Sequence, residues 1–308
     1  EAVAQALVGA NADVDKADNE GRTPIYVASE YGHEGVVRIL ALEANADVAI
    51  LCLPDEAARE SVALASGKTR ILDTSSAHRT HAGWQYGLPE LSARSRANIA
   101  AAQHVSNPGC YPQGFILLVR PLIEAGLLDR GTPLRCNAVS GYSGGGRQMI
   151  EQFQAMDAAT ANALAVQSYG LNQDHKHLPE MAEFSGTFVA PIFVPTVANY
   201  DQGMLTQIPL FVSELGGASP ARVHAVLAER YADEAFIHVA DLGDHSMLKG
   251  NYLNPTGRKD SNEMDLFVFG DDERLLLCAR YDNLGKGAAG AAVQNLNLML
   301  GLEETTGL

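Results

Sequence analysis

Apolar residues along this chain fall into two kinds of run, and the change between them divides it. In residues 1–44 they form short helical stretches. Thr23-Pro24 opens one at Pro24 to Ser29, Gly32 stops it, and Val36 to Leu42 follows at once, so two antiparallel helices are predicted. From Val48 the pattern switches. Val48-Ala-Ile-Leu-Cys-Leu53 is an unbroken apolar run closed by Pro54, which predicts a buried parallel strand. Asp55 is expected to cap a helix to about Ala65, and a second strand follows at Thr69 to Leu72, completing a βαβ unit. His104-Val105-Ser106 reads as a strand end. Gln113 to Leu128 reads as a largely buried helix with Pro112 in its first turn, kinked or shortened at Pro121.

Beyond Phe188 strands dominate: Phe188 to Pro195, Met204 to Val212, Phe236 to Val239, Leu266 to Gly270 and Arg274 to Arg280. One helix, Ala221 to Ala232, sits among them, and an apolar helix at Gln294 to Leu300 closes the chain. Strands with inserted helices predict an α+β domain distinct from the βαβ part. The word Ala-Asn-Ala-Asp-Val occurs at 10–14 and again at 44–48, close to the roughly 33-residue ankyrin period. The first segment therefore resembles one ankyrin repeat preceded by the tail of another. A lone repeat buries its apolar face only against a neighbour, so this segment is expected either to dock on the next domain or to be marginally ordered.

Length, charge and cysteines narrow the picture. A chain of 308 residues accommodates two domains with real cores. The formal charge of −15 argues against nucleic acid or an anionic membrane as partner; a local arginine or lysine can still receive a small anion. Cys52, Cys110, Cys136 and Cys278 are scattered with no CxxC pair, which predicts reduced thiols in a cytosol-like compartment. The longest apolar run, Gly114 to Val119, is too short to span a bilayer. No signal peptide is visible. Residue 1 is Glu, so the expectation is a fragment or processed chain, cytoplasmic, or plastid-directed by a segment lost upstream.

The chemistry is expected at Asn107-Pro108-Gly109-Cys110-Tyr111-Pro112, which reads strand, tight turn, cysteine, helix start. A thiol there faces unpaired N–H groups and the positive end of the helix dipole, which favours thiolate by about 1–2 kcal/mol at most. A partner base is still needed; a buried turn cysteine is the bland alternative. His175-Lys176-His177 leads to Pro179-Glu180. If extended, its spacing puts both imidazoles on one face, and spacing alone does not separate their roles. Two histidines and a glutamate are too few to specify zinc, so no metal is expected. Ser140 to Arg147 contains Gly141 and Gly144 to Gly146, where backbone N–H groups could approach an anion beside the Arg147 fork. Asp73-Thr-Ser-Ser-Ala-His-Arg79 follows a strand, where Ser75, Ser76 and Arg79 could meet a cofactor or phosphate; the alternative is a capped loop.

Cys-Leu-Pro-Asp at 52–55, Asp-Thr-Ser-Ser-Ala-His-Arg at 73–79, Tyr86-Gly-Leu-Pro-Glu90, the Cys110 hexapeptide and Asn283-Leu-Gly-Lys-Gly-Ala-Ala-Gly290 follow one another in order. Together they resemble N-acetyl-γ-glutamyl-phosphate reductase, of the semialdehyde dehydrogenase superfamily, over about residues 45–308. The resemblance implies an α/β protein: a Rossmann-type nucleotide-binding domain at 45–108 and 283–308, and an α+β catalytic and dimerisation domain at 109–282. It implies Cys110 as nucleophile and an acid/base histidine in the 175–177 stretch, for which His177 is preferred. Arg147, Arg79 and Glu180 become substrate residues; Pro54, Ser75, Ser76, Gly141, Gly144, Asn283, Lys286 and Gly287 become cofactor residues. NADP, a small anionic acyl-phosphate substrate and a homo-oligomer are the implied partners.

One departure stands out. Such a nucleotide-binding domain begins with a strand and a glycine-rich pyrophosphate loop, and residues 1–44 contain no such loop; the ankyrin-like segment stands in its place. The expectation is an incomplete nucleotide-binding domain and weakened cofactor binding. A second reading is a catalytically dead reductase scaffold whose ankyrin-like segment binds a protein partner. A third, a Cys-His acyl hydrolase or acyltransferase, has no further motif behind it.

Overall fold

The computed structural model describes residues 47–65 and 69–308. The two-helix reading of residues 1–44 lies outside them. The chain divides into two compact units. The smaller contains the described residues up to Pro89, Arg94–Asn107 and Gln294–Thr306; the larger contains Glu90–Ala93, Pro108–Val293 and Gly307–Leu308.

In the smaller unit, strand β1 (Val48–Leu51) leads through helix α1 (Asp55–Leu64) to β2 (Arg70–Asp73), and the two strands pair in parallel with Ile50 opposite Leu72. Strand β3 (Gln85–Tyr86), helix α2 (Ser95–Ala101) and strand β4 (His104–Ser106) complete a parallel sheet of order β1-β2-β4-β3. The apolar run at 48–53 is strand for only four residues. Leu51 is buried with Leu53, Ala57, Ala58 and Ile71, but Ile50 is exposed, because β1 is an edge strand among the described residues. Asp55 also departs from expectation. Pro54 occupies the N-cap with no side-chain bond, and the Asp55 carboxylate instead accepts the Ser76 N–H (3.0 Å) and hydroxyl (2.7 Å). Arg70 gathers the C-terminal carbonyls of two helices, Ala100 of α2 at 2.8 Å and Met299 of the last helix, where the dipoles favour a cation.

The larger unit is organised by α3 (Cys110–Glu124), whose residues Tyr111 to Val119 are all buried. An all-round apolar helix must be enclosed, and α3 packs on strands and helices of its own unit. Pro121 does not break it. The proline removes the N–H that would bond the Leu117 carbonyl, and the Tyr231 hydroxyl donates to that carbonyl at 2.6 Å instead. The helix ends before Gly126, which adopts φ +69°.

Strand β5 (Arg135–Gly141) is followed by α4 (Gly146–Gln154), α5 (Ala158–Ala163), β6 (Val166–Ser168) and α6 (Leu178–Ser185). Then come β7 (Ile192–Ala198), β8 (Met204–Phe211), α7 (Pro220–Arg230), β9 (Ile237–Val239), β10 (Met264–Gly270) and β11 (Arg274–Tyr281). They form a mixed sheet of order β6-β7-β5-β8-β11-β10-β9. The strand expected from Phe188 begins only at Ile192, and Phe188 is exposed under the Arg130 guanidinium. A π-helical turn, Gly285–Ala289, then opens α8 (Gly290–Leu300), which starts in the larger unit and ends in the smaller. No helix among the described residues is long and apolar enough to cross a membrane.

Candidate active site

Cys110 is the first residue of α3, half-buried, with Gly109 at the N-cap in extended conformation. The thiol therefore stands at a helix N-terminus, as its place before the apolar run predicts. Two contacts fix this turn. The Gly109 N–H donates to Glu180 Oε2 at 3.1 Å, and the Cys110 carbonyl accepts the Tyr281 hydroxyl at 2.7 Å. Glu180 is buried in the first turn of α6, so its carboxylate positions the cysteine's backbone.

His177 is the N-cap of that same helix and is buried; His175 is half-buried and Lys176 exposed. The segment is a turn, not the extended strand the spacing suggested, yet both imidazoles lie on one side, with ring centroids 4.6 Å apart. The turn does this through a local bond: His175 Nδ1 accepts the His177 N–H at 3.2 Å. Tyr111, next to Cys110, sets its ring 5.9 Å from that of His177. Its hydroxyl donates to the Thr196 carbonyl and accepts from Tyr169, each at 3.3 Å. Burial raises the Tyr111 phenol well above its ordinary range and pushes Tyr169 up to about 12, so both stay protonated.

The C-terminal glycine motif borders Cys110. A Cβ at Gly287 would stand 3.1 Å from the Cys110 Cβ, so a side chain there would crowd the first turn of α3. Gln113 holds the turn by donating to the Lys286 carbonyl at 2.7 Å. The Lys286 side chain itself is fully buried and its ammonium bonds Glu90 at 2.7 Å. Asn283 is buried as well: it accepts the Gly203 N–H at 2.7 Å and donates to the Ser143 hydroxyl at 2.9 Å, tying down the 140–147 loop.

In that loop Gly141 is a packing glycine, since a Cβ there would stand 2.2 Å from the Asp201 carbonyl oxygen. Gly144 to Arg147 are exposed, and Gly146 adopts φ +75° with open space around it. Arg147 pairs with Glu151 at 2.8 Å, both side chains being exposed.

The remaining expected residues stand on the smaller unit. The Ser75 hydroxyl donates to Asp73 at 2.7 Å, Asp73 also binds His78 Nδ1 at 2.6 Å, and Ser76 is held by Asp55. His78 stacks on Trp84 at 4.1 Å, and Trp84 on His104 at 4.9 Å. Buried Arg79 donates to the carbonyls of Asn107 (3.0 Å) and Thr74 (3.2 Å). Pro54 is exposed ahead of α1, whose first turn carries Asp55 and Glu56. A nicotinamide is compatible with the exposed Gly144–Gly146 segment of the larger unit. A pyrophosphate is not compatible with the acidic N-terminus of α1.

Sequence inspection missed Tyr111, Tyr169, Tyr281, Gln113 and Glu90. Tyr111, beside the cysteine, Glu90, inside a quoted motif, and Tyr169, just ahead of the histidine stretch, carried a local signal.

A thiol at a helix start and a buried histidine at the N-cap of another helix stand in an α/β framework of the semialdehyde dehydrogenase class. Residues 110–283 match the family described as semialdehyde dehydrogenase, dimerisation domain, and residues 20–52 match the ankyrin repeat. Aspartate semialdehyde dehydrogenase from Francisella tularensis shares the fold, with TM-score 0.62 at 13% identity over 82% of each chain. Aspartate semialdehyde dehydrogenase II from Vibrio cholerae gives 0.59 at 15%, over 82% of this chain and 79% of that one. In sequence, N-acetyl-gamma-glutamyl-phosphate reductase 2 of Nostoc sp. is 49% identical over 86% of this chain and 84% of that protein. N-acetyl-gamma-glutamyl-phosphate reductase of Brucella ovis is 50% identical over 83% and 84%. The chain belongs to the N-acetyl-γ-glutamyl-phosphate reductase family and is an oxidoreductase.

Proposed function

We propose that the protein reduces N-acetyl-γ-glutamyl phosphate to the semialdehyde with NADPH, through a thioester on Cys110, as a step of arginine biosynthesis. The observation that carries this reading is the Gly109–Glu180 bond. It ties the turn bearing the thiol to the helix capped by the buried histidine. The Cys110 thiolate attacks the acyl carbon, and the carbon–oxygen bond to phosphate breaks with its electron pair leaving on phosphate. His177 accepts the thiol proton and later returns a proton to the thiohemiacetal oxygen, which on collapse gives the aldehyde and the thiol again. The N-terminal N–H groups of α3 face the charge that develops on that oxygen. A bound reduced nicotinamide supplies the hydride.

Arg79 is assigned to the phosphate or carboxylate of the substrate, and Arg147 to the same task once released from Glu151. Glu180 serves the substrate indirectly, by holding Gly109. Pro54, Ser75, Ser76, Gly141, Gly144, Asn283, Lys286 and Gly287 are assigned to the loops that frame the cofactor, most of them as loop-shaping residues. The nucleotide-binding part is an incomplete Rossmann unit, because a pyrophosphate-binding glycine loop is absent from residues 1–44 and α1 begins with two carboxylates. The name of the matched dimerisation domain supports a homo-oligomer, and the ankyrin-like segment a protein contact. The test is phosphate-dependent reduction of NADP by the semialdehyde, together with NADPH titration by calorimetry. Turnover with weak NADPH binding is expected. Absence of turnover at saturating NADP would overturn the activity, and tight NADPH binding would overturn the incomplete-domain reading.

A further inference from the structure

We propose that Tyr281 is a positioning residue for the Cys110 chemistry: its hydroxyl fixes the Cys110–Tyr111 peptide so that the peptide's N–H faces the reacting carbonyl oxygen. The proposal rests on the reading of Cys110 as nucleophile.

Tyr281 ends β11 and is wholly buried against the first turn of α3. Its hydroxyl oxygen has three neighbours: the Cys110 carbonyl at 2.7 Å, the Gly114 N–H at 3.2 Å and the Thr206 hydroxyl at 3.2 Å. A phenol has one proton to give. Gly114 is a donor and the Cys110 carbonyl only an acceptor, so the proton goes to Cys110 and Thr206 donates in turn. Burial raises this phenol far above its ordinary value, so it keeps its proton at any working pH.

The phenol thus spans residues 110 and 114, the two ends of the first turn. A glycine inside a helix is less stable than an alanine, and Gly114 has a local reason: a Cβ there would stand 2.8 Å from the Tyr281 oxygen. Across a trans peptide, C=O and N–H point in opposite directions. A carbonyl of Cys110 held toward Tyr281 therefore turns the Tyr111 N–H the other way. As a first-turn N–H it has no intrahelical carbonyl. A donor aligned on an oxyanion acts mainly in the transition state, and the bond at the far end of the same peptide strengthens it.

Tyr281→Phe keeps the ring and removes the hydroxyl. The expected result is a fall in kcat of about 10–100-fold, with KM within about 3-fold and the rate of Cys110 alkylation at neutral pH within about 2-fold. 4-Aminophenylalanine at position 281, which restores an N–H donor, is expected to recover most of the lost kcat. A kcat within about 2-fold of the parent, an equal fall in alkylation rate, or no recovery with the amino analogue would overturn the proposal. If Tyr281→Phe does not fold, Thr206→Val tests the same point, with a kcat fall of about 3–10-fold expected at unchanged KM and an unchanged kcat overturning it. Cys110→Ser separates the two readings: retained turnover there removes the thioester reading. Lost turnover there with normal kcat in Tyr281→Phe removes only the role of Tyr281.

Discussion

The Lys286 ammonium and the Glu90 carboxylate meet at 2.7 Å with both side chains shielded from solvent. Breaking such a pair leaves one uncompensated buried charge, which costs about 3–5 kcal/mol, whereas replacing both partners by apolar residues is often neutral. Lys286→Met is therefore expected to lower stability in urea unfolding by that amount, and Glu90→Met with Lys286→Met to restore most of it. Equal losses in the single and double variants would show that the pair is not what the lysine contributes.

The cysteines should react in a definite order. Cys110 stands half-exposed at a helix N-terminus, while Cys136 and Cys278 are buried, with burial raising the Cys136 thiol and pushing Cys278 up to about 12. Cys52 is exposed rather than enclosed in a strand, yet desolvation, with help from Asp73, raises its thiol too. Alkylation near neutral pH followed by peptide mass spectrometry should mark Cys110 first, Cys52 second and the other two only after unfolding. A faster Cys52 would contradict the helix-terminus argument.

The histidines divide by position. His177→Ala should lower kcat by roughly 10²–10⁴, the usual worth of an acid–base group. His175 presents Nδ1 to the His177 N–H, so His175→Asn, which keeps a local acceptor, should retain most activity and His175→Ala less. Steady-state kinetics showing the larger loss at His175 would exchange their roles.

Stability should fall steeply in alkali. The Cys278 thiol is raised in the fold from 9.0 to about 12. The folded chain holds that proton while the unfolded chain releases its own near 9, so the folded state binds more protons across this window and stability declines as pH rises from 9 to 12. The loss is on the order of 1 kcal/mol per pH unit for such a group. Cys278→Ala should flatten this part of the stability–pH curve, read by urea melts at each pH; an unchanged slope would contradict it.

What was legible in the sequence was local. The apolar positions of Phe115 to Leu122 announced a buried helix, and Pro-Gly-Cys before them announced a thiol at its start. Alternation and turn residues located β8 to β11 within a residue or two. What stayed hidden depends on partners far along the chain. Pro121 looked like a helix breaker because Tyr231, which takes over the Leu117 carbonyl, lies more than a hundred residues later. Nothing near Lys286 in the sequence shows that its ammonium meets Glu90, almost two hundred residues earlier. Tyr281 stood just past the strand expected at Arg274 to Arg280, and nothing near it shows that its hydroxyl reaches Cys110. The close neighbours of Gly141 and Gly287, the Asp201 carbonyl and the Cys110 Cβ, also lie far from them in sequence.

The central claim is an acyl group carried on Cys110. The direct measurement is to mix the protein with N-acetyl-γ-glutamyl phosphate in the absence of NADPH, quench in acid, and map the digest by mass spectrometry. The account predicts the acylated mass on the peptide containing Cys110, released by hydroxylamine and absent in Cys110→Ser. An acyl group on another residue, or none while phosphate-dependent turnover persists, would contradict it.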